Sequence, residues 1–313
     1  MNRHSGLAYQ SAGVATATDA LQIVKDYISL MKPGVLSLLL VSTLCPMVLA
    51  AKGDVTFAML FFALLGGSLI SGSASAINCI WDRDIDRIME RTKKRPIPAG
   101  RVTPVAAFVF SMFLGAGGLI VLGISLNVQS AAIALLGHFF YVFVYTIWLK
   151  RSTPQNIVIG GAAGAVPPLV GWAAVTGSLS LSAFLIFLIV FLWTPPHFWA
   201  LALNKNKDYQ RAGVPMLPVV EGEETTVRQM FWYAVSLVPA TIALVAVDES
   251  LGWFSYVVMV GLAVVFAVKT YQLMTMWEAS LEEREKKRWD VFGFSMIYLA
   301  LFFLCMVIDS TVF

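Results

Sequence analysis

Charge is what this chain has least of. Only 13% of its 313 residues are Asp, Glu, Lys or Arg, against 58% hydrophobic residues and a mean hydropathy of +0.76. A water-soluble globule of this composition would lack the polar surface to cover itself, so that class is excluded. Cysteine is scarce too: Cys45, Cys79 and Cys305 lie scattered in or beside apolar runs. That scatter excludes a disulfide framework or a thiolate metal cluster and leaves the thiols as small packing groups. Residues 1–24 have neither an apolar core with a cleavage-site pattern nor an Arg-rich amphipathic character. They are expected to form a flexible polar tail rather than a removable targeting peptide.

What the chain does have is apolar runs close to the ~20 residues that cross a bilayer as a helix. Nine are legible, at about 34–51, 55–80, 104–126, 128–149, 156–176, 180–203, 229–247, 251–272 and 291–309. Their connections are mostly short. The expected fold is therefore all-α: a polytopic membrane protein of nine transmembrane helices, with residues 25–313 as a single domain. Basic residues alternate with the spans. Arg3, Lys25 and Lys32 precede the first, and Arg83, Arg87, Arg91, Lys93, Lys94, Arg95 and Arg101 follow the second. Lys150 and Arg151 follow the fourth, Lys205, Lys207, Arg211 and Arg228 the sixth, and Arg284, Lys286, Lys287 and Arg288 the eighth. Lys52 alone lies on the other side. The positive-inside rule puts the N-terminus and these loops in the cytoplasm and the C-terminus in the periplasm, with a bacterial inner membrane as the simplest address. The net charge of +3 thus reports topology, and no nucleic-acid partner is expected.

The first long basic loop opens with the most chemical stretch of the chain, NCIWDRDIDRIMERTKKRP. Asn78, Asp82 and Asp86 recur every four residues where an apolar span ends. On a continuous helix they share one face, and Asp84 lies off it. Any single aspartate in such a loop usually just faces water. A carboxamide and two carboxylates in register at a membrane edge instead suit Mg²⁺ bridging to a phosphate, and Arg91, Lys93, Lys94 and Arg95 follow to hold the anion. The second long loop repeats the spacing with Asn204 and Asp208, but position 212 is Ala. Four spans separate the two loops, which suggests two helical halves meeting around one site. Pro167–Pro168 and Pro195–Pro196 are expected to bend or interrupt the fifth and sixth spans, and the glycines of IGGAAGAVPP to let helices approach closely. The EGEE around Glu223 and the LEEREKKR run at 281–288 read as solvated loops.

Three blocks now carry a resemblance: Asn78…DRDID…MERTKKRP, then YTIWLKRSTPQNIVIGGAAGAVPPLVGWAAVTG, then TPPHFWALALNKNKDYQRAGVPMLPV. Together, from about Lys32 to Pro218, they closely resemble the intramembrane (UbiA-type) prenyltransferases, in particular their protoheme IX farnesyltransferase branch. The resemblance implies nine helices around a central cavity. It also implies Mg²⁺-dependent transfer of farnesyl from farnesyl diphosphate to a vinyl group of heme B, with water added, giving heme O and diphosphate. Carried over by position, it makes Asp82, Asp86 and Asp208 catalytic, with Asn78 beside them as metal ligands. Arg91, Lys94, Arg95, Lys150 and Arg151 become the diphosphate-binding residues. Many relatives have Asp directly after the motif Asn, where this chain has Cys79, and a second motif richer in Asp. Those departures leave the metal count and the role of Asn204 open. Implied partners, beyond the substrates and the bilayer, are a heme A synthase or terminal-oxidase assembly factors.

An allylic cation would need apolar, aromatic surroundings, and Phe139, Phe140, Tyr141, Tyr145, Trp193, Phe198 and Trp199 are available for it. His197, just after the Pro195–Pro196 pair, is a candidate for touching heme, whereas His138 reads as a hydrogen-bonded packing residue. Two rival readings are a prenyltransferase acting on an aromatic acid or quinone precursor and a secondary transporter. The heme-branch blocks argue against the first. The lack of acidic residues at span centres argues against the second.

Overall fold

Residues 17–312 are described by the computed structural model, so the expected polar tail up to residue 16 lies outside the described residues. Helix α1 (Ala17–Leu30) crosses the expected boundary at residue 24. It forms because apolar residues recur at helical spacing: Leu21, Val24 and Ile28 make one exposed stripe, while Asp26 is buried on the opposite side.

Nine helices among the described residues are long and apolar enough to cross a membrane. They are α2 (Pro33–Ala50), α3 (Phe57–Trp81), α5 (Pro104–Ser125) and α6 (Val128–Phe139), the last continuing to Arg151, then α7 (Asn156–Thr176) and α8 (Leu181–Asn204). The last three are α11 (Gly222–Val247), α12 (Trp253–Thr275) and α13 (Leu281–Val312). Short helices α4 (Arg83–Ile88), α9 (Asn206–Arg211) and α10 (Leu217–Val220) occupy the two long loops. No strand occurs among the described residues.

Thr56, Thr103, Asn127 and Ser180 cap the N-termini of α3, α5, α6 and α8 through side-chain oxygens, so these spans start where a local sequence signal tells them to. Two spans start earlier than hydropathy suggests, α11 at Gly222 and α13 at Leu281. Their charged first turns lie beyond the apolar stretch and bind each other: Glu223 accepts from Arg284 (2.7 Å) and also pairs with Arg288. The EGEE and LEEREKKR segments are thus helical and tie two spans together, rather than forming solvated loops.

Helix α7 is the most buried of the nine and packs on α2, α6 and α8. Its closest approach is at Gly171, where a Cβ would fall 2.0 Å from the carbonyl oxygen of Thr43 on α2. Neither α7 nor α8 is interrupted, although each holds two prolines. Each proline removes one backbone donor, and close packing on both sides holds the remaining turns in place. The largest apolar cluster joins α8, α11, α12 and α13 around Trp199, Phe266, Tyr298 and Phe302. The three cysteines are free, with Cys79 and Cys305 buried.

The basic connections meet at one end of the bundle. Arg101 bridges to Asp26 of α1, Arg151 to Asp84, and Lys205 lies over the ring of Trp289. At the other end, Asp309 of α13 accepts from the backbone of Gly252 and Ser255 at the start of α12.

Candidate active site

Helix α3 stops at Trp81, and Asp82 sits between it and α4 with ψ near 0°. The helical hydrogen-bond run survives the junction: Asp82 N donates to Asn78 O (2.9 Å), and Asp86 N to Asp82 O (2.8 Å). Asn78, Asp82 and Asp86 therefore stay on one face, and all three are at most 2% exposed. Asp84 points away and its side chain is 60% exposed.

Burying carboxylates is costly unless each is paired. Here each polar group of the ladder has its own cation. Lys32, just before α2, donates to Asn78 Oδ1. Lys150, at the end of the fourth span, donates to Asp82 Oδ2. Arg95 Nη1 donates to Asp86 Oδ2 at 2.7 Å. Asn78 Nδ2 in turn donates to Thr146 Oγ1 (3.0 Å), so α3, the fourth span and the segment entering α2 share one polar network. Asp82 Oδ1 stays outside it, fully buried with no hydrogen-bond partner. Lys32 adopts a left-handed conformation (φ 54°), a strain that a lysine bears where its neighbours fix it. Burial pushes its ammonium below the usual lysine range.

The fourth span reaches the site through an unusual turn. Residues Phe140–Trp148 form a π-helix, a rare geometry in long runs and one that often marks functional positions. It carries Tyr141 and Tyr145, with ring centroids 5.4 Å apart, within electrostatic range of Asp82. Tyr145 lies on Gly160 of α7, where a Cβ would come within 2.2 Å of the ring. Of the other candidate aromatics, Phe139 is exposed and stacks on Phe143. Trp199 is fully buried, and Trp193 donates to Ser295 O (2.8 Å).

The second long loop closes over the first. Tyr209 of α9 is buried in the same apolar cluster as Ile85 and Met89 of the first loop, with the charge of Arg91 near its hydroxyl. Burial raises the Tyr209 phenol above its ordinary range. Asp208 is mostly buried and pairs with Arg211 one turn away, rather than with a cation from the first loop. Asn204 presents a buried amide whose oxygen and nitrogen both lack partners, and Asn206 Oδ1 lacks one too.

The structure thus brings Asn78, Asp82, Asp86, Arg95, Lys150 and Arg91 to one end, with Asp208 in the covering loop. It does not converge the rest. No three acidic, His or Cys side chains among the described residues lie close enough to form a metal cluster. Arg151 is turned to Asp84, with Nη1–Oδ2 at 2.7 Å and Nη2–Oδ1 at 2.6 Å. Its hydrogen bonds hold the Asp84 carboxyl down at about 2. Lys94 is exposed, and its contribution to the fold is its carbonyl, which accepts from Arg101 (3.1 Å). His197 is in the α8–α13 interface, between Trp193 (centroids 4.2 Å) and Phe292 (4.9 Å), with Nδ1 on Ser295 Oγ at 2.7 Å. His138 is hydrogen-bonded to Ser73 Oγ (3.0 Å), as a packing residue would be. Sequence reasoning missed Lys32, Thr146 and Tyr209 as parts of the site. The only available signal was a lysine at the mouth of a span followed by Pro33–Gly34, and it was used for topology alone.

The same fold occurs in solved structures. Digeranylgeranylglyceryl phosphate synthase matches with a TM-score of 0.72 at 18% identity, covering 92% of this chain and 99% of that one. A UbiA homolog from Archaeoglobus fulgidus, bound to DMAPP and Mg²⁺, matches with a TM-score of 0.62 at 16% identity, covering 90% and 99%. In sequence, the protoheme IX farnesyltransferase of Trichodesmium erythraeum (strain IMS101) is 50% identical over 290 residues, covering 93% of this chain and 87% of its own length. The protein of that name from Gloeobacter violaceus (strain ATCC 29082 / PCC 7421) is 48% identical over 287 residues, covering 92% of each chain. The model of the UbiA prenyltransferase family matches residues 38–307. This multi-pass membrane protein belongs to the UbiA prenyltransferase family.

Proposed function

We propose that this chain converts heme B to heme O by transferring the farnesyl group of farnesyl diphosphate to a heme vinyl group, with addition of water and release of diphosphate. One observation carries the reading onto this structure. Two buried aspartates, each held by a single cation, stand at the mouth of an apolar bundle, and one carboxylate oxygen has no partner. A diphosphate head with a long hydrocarbon tail suits both parts of that arrangement. Identity of about one half along nearly the whole chain to relatives named protoheme IX farnesyltransferase supports heme as the acceptor over other acceptors of the family.

The donor set fits Mg²⁺, which is commonly held by one or two carboxylates together with substrate phosphates rather than by an all-protein cage. Asp82 offers its free Oδ1, with Asp86 and Asn78 on the same helix face, and Asp208 and the unpartnered amide of Asn204 would add donors from the second loop. Bound there, Mg²⁺ would supply Lewis-acid neutralisation of the departing diphosphate. The chain's own residues account for the rest. Arg95 and Lys150 are already at the carboxylates, and Lys32 at the Asn78 carboxamide; they add charge-assisted hydrogen bonds to phosphate oxygens, with Arg91, Lys94 and Arg151 around them. Tyr141 and Tyr145 present aromatic faces beside the ladder, where an allylic cation gains from them. The covering loop with Tyr209 limits water at the reacting carbon. His197, held by Ser295 through Nδ1 in the α8–α13 interface, is the candidate residue for touching heme.

The N-terminus and basic loops face the cytoplasm and the C-terminus the periplasm of a bacterial inner membrane. The basic connections gathered at one end support that orientation. Heme O leaves toward a heme A synthase or terminal-oxidase assembly factors.

The test is direct. Purified protein is incubated with heme B, farnesyl diphosphate and Mg²⁺, and the heme is analysed by mass spectrometry. Hydroxyethylfarnesyl heme is the expected product, and it should vanish with EDTA. Folded protein that leaves heme B unchanged, under conditions where a known farnesyltransferase works, overturns the proposal.

A further inference from the structure

Asp84 shares the motif run with Asp82 and Asp86 but not their face, and nothing in the reaction proposed above uses it. Its surroundings give it a task. Arg151 donates to both Asp84 oxygens and, through Nη2, to the carbonyl of Trp81 (3.0 Å). The same Nη2 is 4.0 Å from Asp82 Oδ1, a fully buried oxygen of the ladder without a hydrogen-bond partner. A guanidinium so close to an unsatisfied buried carboxylate would ordinarily form the forked pair that arginine favours. The space around Arg151 does not prevent it, because an open cavity of about 230 Å³ borders Trp81, Arg83, Asp84 and Arg151. What holds the guanidinium off is its commitment to Asp84 and Trp81.

We propose that Asp84 is a positioning residue: it anchors Arg151 beside Asp82 and so keeps Asp82 Oδ1 open to the divalent cation. Without the Asp84 charge, Arg151 closes the 4.0 Å gap and takes that oxygen. This rests on the metal–diphosphate reading above, and the experiment separates the two.

The probe is Mn²⁺ alone, without diphosphate or heme, titrated into the detergent-solubilised full chain. Free and bound metal are followed by electron paramagnetic resonance, and circular dichroism checks the fold of each variant. Asp84→Asn should weaken Mn²⁺ binding roughly 10- to 100-fold, the usual effect of losing a residue that orients a metal ligand. Asp84→Glu should restore most of the loss. The decisive variant is the double change Asp84→Asn with Arg151→Gln. It removes the competing guanidinium, so it should bind Mn²⁺ more tightly than Asp84→Asn alone. A purely structural role for Asp84 would leave the double variant as weak or weaker. Equal binding by wild type and Asp84→Asn, or no recovery in the double variant, overturns the proposal while the metal reading stands. No Mn²⁺ bound by wild type overturns the proposal, and the product assay with farnesyl diphosphate and EDTA described above then decides the metal–diphosphate reading.

Discussion

Asp82 and Asp309 are both buried aspartates at membrane-span ends, 1% and 2% exposed, at opposite ends of the bundle. Their surroundings differ in kind. Asp309 lies beside the start of α12 and accepts from two backbone amides, Gly252 N at 2.6 Å and Ser255 N at 3.3 Å. Those donors are free in any helix, and a carboxylate there suits the helix dipole, so the charge of Asp309 serves the start of α12 through Oδ2. Asp82 is met by one lysine on Oδ2, a distant arginine and an oxygen with no partner. The contrast separates a buried charge that completes the fold from one that leaves the fold incomplete. An unsatisfied buried polar atom in a native structure calls for an explanation, a bound ion among them, and of these two aspartates only Asp82 has one.

Breaking the acidic end should give the largest effect. Asp86→Ala removes the carboxylate facing Arg95 and should lower turnover by on the order of 10²-fold or more, with membrane insertion and helicity unchanged. Heme product by mass spectrometry and circular dichroism check this pair of outcomes. Lys150→Met removes a cation from Asp82 and from the diphosphate. It should reduce kcat/KM for farnesyl diphosphate roughly tenfold, the worth of one charged hydrogen bond, read from initial rates at varied diphosphate substrate. Asp309→Ala should do the reverse. Two amides at a buried helix end lose their acceptor, at a cost of about 1–3 kcal/mol. Thermal unfolding in detergent should occur earlier while activity per folded molecule is retained. Gly160→Ala is the mildest. Its new methyl displaces the Tyr145 ring, an overpacking cost of about 1–3 kcal/mol that should appear as a few-fold slower single turnover.

The same contrast explains what could be read from the sequence. Nine spans were legible because hydropathy reports what a bilayer requires. The early starts of α11 and α13 were not, because their first turns are charged and form helix through Glu223, Arg284 and Arg288. The Asn78–Asp82–Asp86 ladder was legible because its spacing is local and helical. Which cation meets which acid was not, since Lys32, Arg95 and Lys150 come from three different segments and only packing brings them together. Arg151 shows the limit: it sits next to Lys150 in sequence, yet its guanidinium goes to Asp84. The proline pairs of α7 and α8 were expected to bend or interrupt their helices, and both helices run on without interruption because packing, which the sequence does not display, holds them.

On the function proposed above, Asp82 carries chemistry and Asp309 carries only structure. Asp82→Asn and Asp309→Asn, each nearly isosteric, are assayed side by side for farnesylated heme at equal amounts of folded protein. The predicted result is no detectable product from Asp82→Asn and near wild-type product from Asp309→Asn. Product from Asp82→Asn at the wild-type rate would contradict it.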